Sequence, residues 1–132
     1  MKNFLPLLFL ICSVLPSYAG DIEYGYRNGK YVPVRIEGKD VGYGYRNGDY
    51  VQTSIGRENI QYGYRNGVYR PISLGNKEIE YGYRNGKYVQ TSIGNKEINY
   101  GYRNGSYVPT SIGRRTINYG YRNGKYSPVG LD

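Results

Sequence analysis

The sequence predicts an all-β protein: six tandem 19-residue β-hairpin repeats forming an antiparallel meander or a coiled repeat sheet, with a β-solenoid as the alternative. Three observations carry this. Tyr-Gly-Tyr-Arg-Asn-Gly recurs at Tyr24, Tyr43, Tyr62, Tyr81, Tyr100 and Tyr119, every 19 residues without insertion or deletion. Each copy contains Asn-Gly, the dipeptide that best fits a type I′ hairpin turn because both central positions need positive φ. On either side of that turn apolar and polar residues alternate, as strands require.

The chain opens with a segment that reads as a secretory signal peptide over residues 1–19, leaving a β-repeat domain over 20–132. Lys2 supplies the positive start, Phe4 to Leu15 the apolar stretch, and Ser17-Tyr18-Ala19 a small-residue cleavage site after Ala19. That stretch is shorter than the roughly 20 residues needed to span a bilayer, and Pro6 and Pro16 interrupt it. The expected destination is secreted, periplasmic or cell-surface, with no membrane span. Cys12, the sole cysteine, lies in the removable segment, and bulky Ile11 argues against lipidation there. The mature chain then has no disulfide to rely on.

In the first copy, a two-residue Asn28-Gly29 loop pairs Arg27 with Lys30, Tyr26 with Tyr31 and Tyr24 with Pro33. Alternation places Ile22, Tyr24, Tyr26 and Tyr31 on one face, and Glu23, Gly25, Arg27, Lys30 and Val32 on the other. Cross-strand tyrosine pairs contribute about 0.2–1 kcal/mol each. An aliphatic residue precedes every motif by two places (Ile22, Val41, Ile60, Ile79, Ile98, Ile117). The linkers, such as Ile93-Gly94-Asn95-Lys96, hold a second turn, so about a dozen short strands follow.

The odd period poses a question of facing. With two even loops, successive tyrosine clusters would flip sides, whereas a bulge or an odd loop would keep them together. Pro33, Gln52, Pro71, Gln90 and Pro109 alternate before Pro128 breaks the series, which fits a 38-residue unit with alternating faces. The last copy stops at Asp132 without its second turn, so a free strand edge is expected at each end, a template for self-association.

The pattern Tyr-Gly-Tyr-Arg-Asn-Gly-Lys-Tyr-Val-Pro, with Thr-Ser-Ile and a second turn in other copies, resembles the tyrosine-rich YD repeats of bacterial Rhs-type proteins. It departs from them in carrying Arg27, Arg46, Arg65, Arg84, Arg103 and Arg122 where the naming aspartate stands. Tyr24-Gly25-Tyr26 is also similar to the start of a WG repeat, here shortened. Either resemblance implies extended β-sheet for scaffolding, encapsulation or binding, and transfers no catalytic residues.

The chemistry available is recognition rather than catalysis. The sequence has no histidine, and its acidic residues scatter over linkers as Glu58, Glu78 and Glu97 without a carboxylate pair. The glycines belong to turns and precede no helix, so no phosphate loop is indicated. No metal or other cofactor is expected. Eighteen basic against ten acidic residues give +8, or +7 once Lys2 is removed, which favours anionic partners.

The candidate ligand-binding residues are the three tyrosines and the arginine of each copy. They are Tyr24, Tyr26, Arg27 and Tyr31; Tyr43, Tyr45, Arg46 and Tyr50; Tyr62, Tyr64, Arg65 and Tyr69; Tyr81, Tyr83, Arg84 and Tyr88; Tyr100, Tyr102, Arg103 and Tyr107; Tyr119, Tyr121, Arg122 and Tyr126. Tyrosine offers rigid contact area at low entropic cost, and six weak sites gain by avidity. The competing role for these rings is packing against one another, and for the arginines solvated charge.

The expected function is an exported, non-catalytic multivalent binding or scaffold protein for anionic envelope or extracellular polysaccharide. The alternative is a self-assembling matrix or amyloid-like structural protein. Aromatics interleaved with arginine also suit single-stranded nucleic acid, but export argues against it. Asn104-Gly105-Ser106 matches a glycosylation acceptor, which we read as coincidence among six interchangeable positions.

Overall fold

The computed structural model describes residues 20–132, so the expected signal peptide over residues 1–19, with Cys12, lies outside the described residues. Twelve strands form six hairpins. They are β1 (Gly20–Arg27) with β2 (Lys30–Ile36), β3 (Lys39–Arg46) with β4 (Asp49–Ile55), and β5 (Glu58–Arg65) with β6 (Val68–Leu74). Next come β7 (Lys77–Arg84) with β8 (Lys87–Ile93), β9 (Lys96–Arg103) with β10 (Ser106–Ile112), and β11 (Arg115–Arg122) with β12 (Lys125–Leu131). Every neighbouring pair is antiparallel, which removes the solenoid alternative.

The Asn-Gly turns behave as their sequence dictates. Asn28 has φ 53° and Gly29 φ 80°, the pair of positive values that a type I′ turn needs, and the other five copies match. The pairing of Arg27 with Lys30, Tyr26 with Tyr31 and Tyr24 with Pro33 follows from that turn. Beyond it the ladder shifts: Glu23 pairs with Arg35, leaving Val34 as an extra residue. The same bulge recurs in every hairpin.

This bulge corrects the expected 38-residue alternation. One extra residue per copy absorbs the odd period, so all six tyrosine clusters keep the same facing. The Pro/Gln series acts on a smaller scale. Gln52 and Gln90 reach the hydroxyls of Tyr43 and Tyr81 at 3.4 Å, a donor that the proline copies lack.

The bulge also explains the glycine inside Tyr-Gly-Tyr. The extra residue is always β-branched (Val34, Thr53, Ile72, Thr91, Thr110, Val129). Its side chain lies over that glycine, so a Cβ on Gly63 would sit 3.0 Å from the Ile72 side chain.

The sheet closes on itself, with β1 paired to β12 through Gly20–Leu131 and Asp21–Gly130. The free terminal edges expected from the sequence are therefore paired with each other. Twelve aliphatic side chains form one buried cluster inside the ring, two from each hairpin: Ile22 with Ile36, and so on round to Ile117 with Leu131. Burial of such a side chain stabilises by roughly 1.5–3 kcal/mol. Half of this core, the set from Ile36 to Leu131, closes the second strand of each hairpin, where the sequence pattern predicts linker. Glu23, Arg35, Asp40 and Asn59 point outward and are exposed.

Between hairpins the ladder is short. β2 and β3 are linked only through Arg35–Asp40 and Ile36–Lys39, at the second-turn end. Toward the Asn-Gly turns neighbouring hairpins part, and their faces stack instead. The molecule is thus a closed ring at one end and a circle of stacked hairpin tips at the other.

Candidate functional site

The tip end collects the candidate residues, and the geometry divides the three tyrosines of each copy. Tyr24 and its counterparts are half-buried against the aliphatic core. Each donates its hydroxyl to a backbone carbonyl of the preceding hairpin: Tyr43 to Pro33 at 2.7 Å, Tyr62 to Gln52 at 2.6 Å, and Tyr24 to Pro128 at 2.8 Å across the closure. Burial pushes the phenol pKa up to about 12 in Tyr24, Tyr43 and Tyr81, and higher in Tyr62, Tyr100 and Tyr119. In the first three a neighbouring side chain (Ser127, Gln52 or Gln90) hydrogen-bonds the phenol and limits the rise.

Tyr31 stacks on Tyr24, with ring centroids 5.6 Å apart and planes within 14°. Tyr50, Tyr69, Tyr88, Tyr107 and Tyr126 do the same in their own copies. The third tyrosine meets this stack edge-on and is mostly exposed: Tyr26, Tyr45, Tyr64, Tyr83, Tyr102 and Tyr121 all lie at 60–62%. Twelve tyrosines are therefore largely packing residues, and six present their rings to solvent.

Within one hairpin Arg27 and Tyr26 point to opposite faces, so a single copy does not assemble a Tyr-Arg site. Neighbours do. The arginine face of each hairpin stacks against the tyrosine face of the next, as Arg70 shows with its guanidinium 5.5 Å from the Tyr81 ring centre and 5.1 Å from that of Tyr88. Asn28 donates its amide to the Tyr45 hydroxyl at 3.2 Å, and this bond repeats around the ring to Asn123 and Tyr26 at 3.3 Å. The Arg27 charge acts on Tyr43, as Arg46 does on Tyr62.

Each such arginine is held by one bond, from its Nη1 to the carbonyl of the preceding tyrosine, at 3.0–3.1 Å in all six copies. Its remaining N–H groups have no protein acceptor among the described residues. Each gap between tips thus offers an oriented guanidinium fork, an exposed phenol ring and a turn amide, a set suited to oxyanions on a planar or sugar-like scaffold. Arg27, Arg46, Arg103 and Arg122 are exposed, whereas Arg65 and Arg84 are half-buried.

Charge is divided along the ring axis. The tip end carries ten basic residues, the six repeat arginines with Lys30, Arg70, Lys87 and Lys125, against one acid, Asp49. Residues 20–132 hold 17 basic and 10 acidic residues, so seven basic and nine acidic remain for the rest. The whole cationic excess lies on the end that displays the tyrosines. Lys30, Lys87 and Lys125 stand at a position that varies from copy to copy, so their signal lies in summed placement rather than in the repeat.

No protein-family model matches this chain, and searches of curated proteins and of solved structures found no match either.

Proposed function

We propose that this protein is an exported, non-catalytic multivalent binding module whose tip end engages anionic polysaccharide of a cell envelope or extracellular matrix. The observation that carries the reading is the coincidence of six equally exposed tyrosines with the entire cationic excess on one end of a closed ring. Rings stack on sugars, guanidinium groups pair with carboxylate or sulfate, and six weak contacts on a rigid scaffold gain through avidity. The outward-facing polar side chains support a barrel that sits in water, since a membrane barrel presents an apolar outer band. Assembly through strand edges has less support, because β1 and β12 pair with each other.

The test replaces all six tip tyrosines by serine and measures retention on immobilised acidic polysaccharides, with circular dichroism to follow the fold. The expected result is lost retention on intact β-structure. Retention equal to that of the unaltered protein would overturn the reading.

A further inference from the structure

The six gaps between tips are not equivalent. They differ at the residue after the Asn-Gly turn, which is Lys30, Asp49, Val68, Lys87, Ser106 or Lys125 in chain order. Around the ring, Arg122 and Lys125 on the last hairpin are followed directly by Arg27 and Lys30 on the first. These pairs lie five repeats apart in sequence, and closure alone makes them neighbours, through the bonds of Asn123 to Tyr26 and Tyr24 to Pro128.

The gap at the closure also has the smallest residue in its wall. Ser127 stands where Val32, Val51, Arg70, Val89 and Val108 stand elsewhere. Across the ring the opposite holds. Asp49 faces Arg46 across its hairpin, Val68 brings no charge, and the Arg70 guanidinium covers the rings of Tyr81 and Tyr88.

We propose that the principal ligand site consists of the two adjoining gaps that flank the first hairpin, and that it takes a carboxylate-bearing polysaccharide segment. The site rests on the reading above and specifies its place and ligand class. Four cations in succession match a run of uronate carboxylates. Tyr26 and Tyr45 supply ring surface for the intervening sugars. The remaining gaps act as weaker extensions of the same rim.

The experiment is calorimetric titration of the protein with alginate oligomers, using two double variants of equal charge change. Lys30→Ser with Lys125→Ser empties the proposed site of its lysines, and Arg65→Ser with Lys87→Ser removes the same charge from the far side. All four residues lie at the tips, away from the aliphatic core, and unchanged melting temperatures would confirm that both variants fold. The expected result is roughly tenfold weaker binding for the first pair and less than about threefold for the second. Equal losses would leave the polysaccharide reading standing and overturn the site. Binding to phosphatidylglycerol vesicles without binding to alginate would overturn the ligand class, and no alginate binding by the unaltered protein would overturn site and reading together.

Discussion

The three tyrosines of one copy share a sequence motif yet meet three environments, and their hydroxyls separate them. The hydroxyl of Tyr43 satisfies the Pro33 carbonyl in a half-buried layer, whereas that of Tyr45 accepts an exposed amide from Asn28. Tyr43→Phe strands that carbonyl and should destabilise by about 1–3 kcal/mol. Tyr45→Phe should stay within about 0.5 kcal/mol. Urea midpoints measure both, and equal effects would contradict the division into packing and display. The buried phenols also set an alkaline limit. Their folded pKa is raised by burial, to about 12 in Tyr24, Tyr43 and Tyr81, so between about pH 10 and that value the folded state binds more protons than the unfolded one. The stability they contribute is complete below about pH 10 and is lost as pH rises toward 12. Tyrosinate absorbance should therefore show a late step that coincides with loss of β-structure. A single early step for all tyrosines, with the fold retained, would refute this.

At the scale of the element, the first turn was legible and the second only in part. Asn-Gly fixed the hairpin register down to Tyr24–Pro33 because its positive φ values leave one economical turn type. A bulge is one way to absorb an odd period, but Val34 and its counterparts are ordinary strand residues and mark no position for it. The site was half legible for a related reason. The repeat displays Tyr26 and Arg27 side by side, yet their meeting partners lie on neighbouring hairpins, and stacking between copies leaves no local pattern. The second turn holds one further departure, at Glu37. Copies two to five place glycine there (Gly56, Gly75, Gly94, Gly113), where a Cβ on Gly56 would sit 3.2 Å from the Lys39 side chain. In the first copy the residue corresponding to Lys39 is Gly20, which has no side chain to fill the space, and Glu37 pairs there with Arg115. Both side chains are well buried, at 5% and 13% exposure. Glu37→Gly relieves about 1 kcal/mol of left-handed backbone strain but withdraws a buried carboxylate from Arg115, a loss of about 3–5 kcal/mol. A net destabilisation of about 2–4 kcal/mol is expected by chemical denaturation. A variant as stable as the parent would show that the pair does not hold the closure.

The whole molecule behaves as a ring rather than as an array. In a linear repeat protein stability is a sum of units and nearest-neighbour interfaces, so losing one copy costs one increment. Here six hairpins share one aliphatic cluster, and the last interface is the closure itself. The period alone could not reveal this, since the same 19-residue repeat would serve an open meander, and closure depends on how far each hairpin turns relative to the next. Deleting residues 58–76 joins Arg57 to Lys77 and removes one complete copy while keeping the second turn intact. The five remaining hairpins must either curve more sharply, crowding ten aliphatic side chains into a smaller ring, or stay open. Crowding a well-packed core costs about 1–3 kcal/mol at each strained position, while opening exposes two strand edges that invite pairing between chains. Sedimentation velocity across a wide concentration range should therefore show a monomer for the parent and growing, concentration-dependent species for the deletion. Its urea transition should also be earlier and broader than the loss of one repeat increment predicts. A monomeric five-copy protein with a sharp transition would mean that the interfaces tolerate a range of curvature, and that six is the number of copies rather than a requirement of the fold.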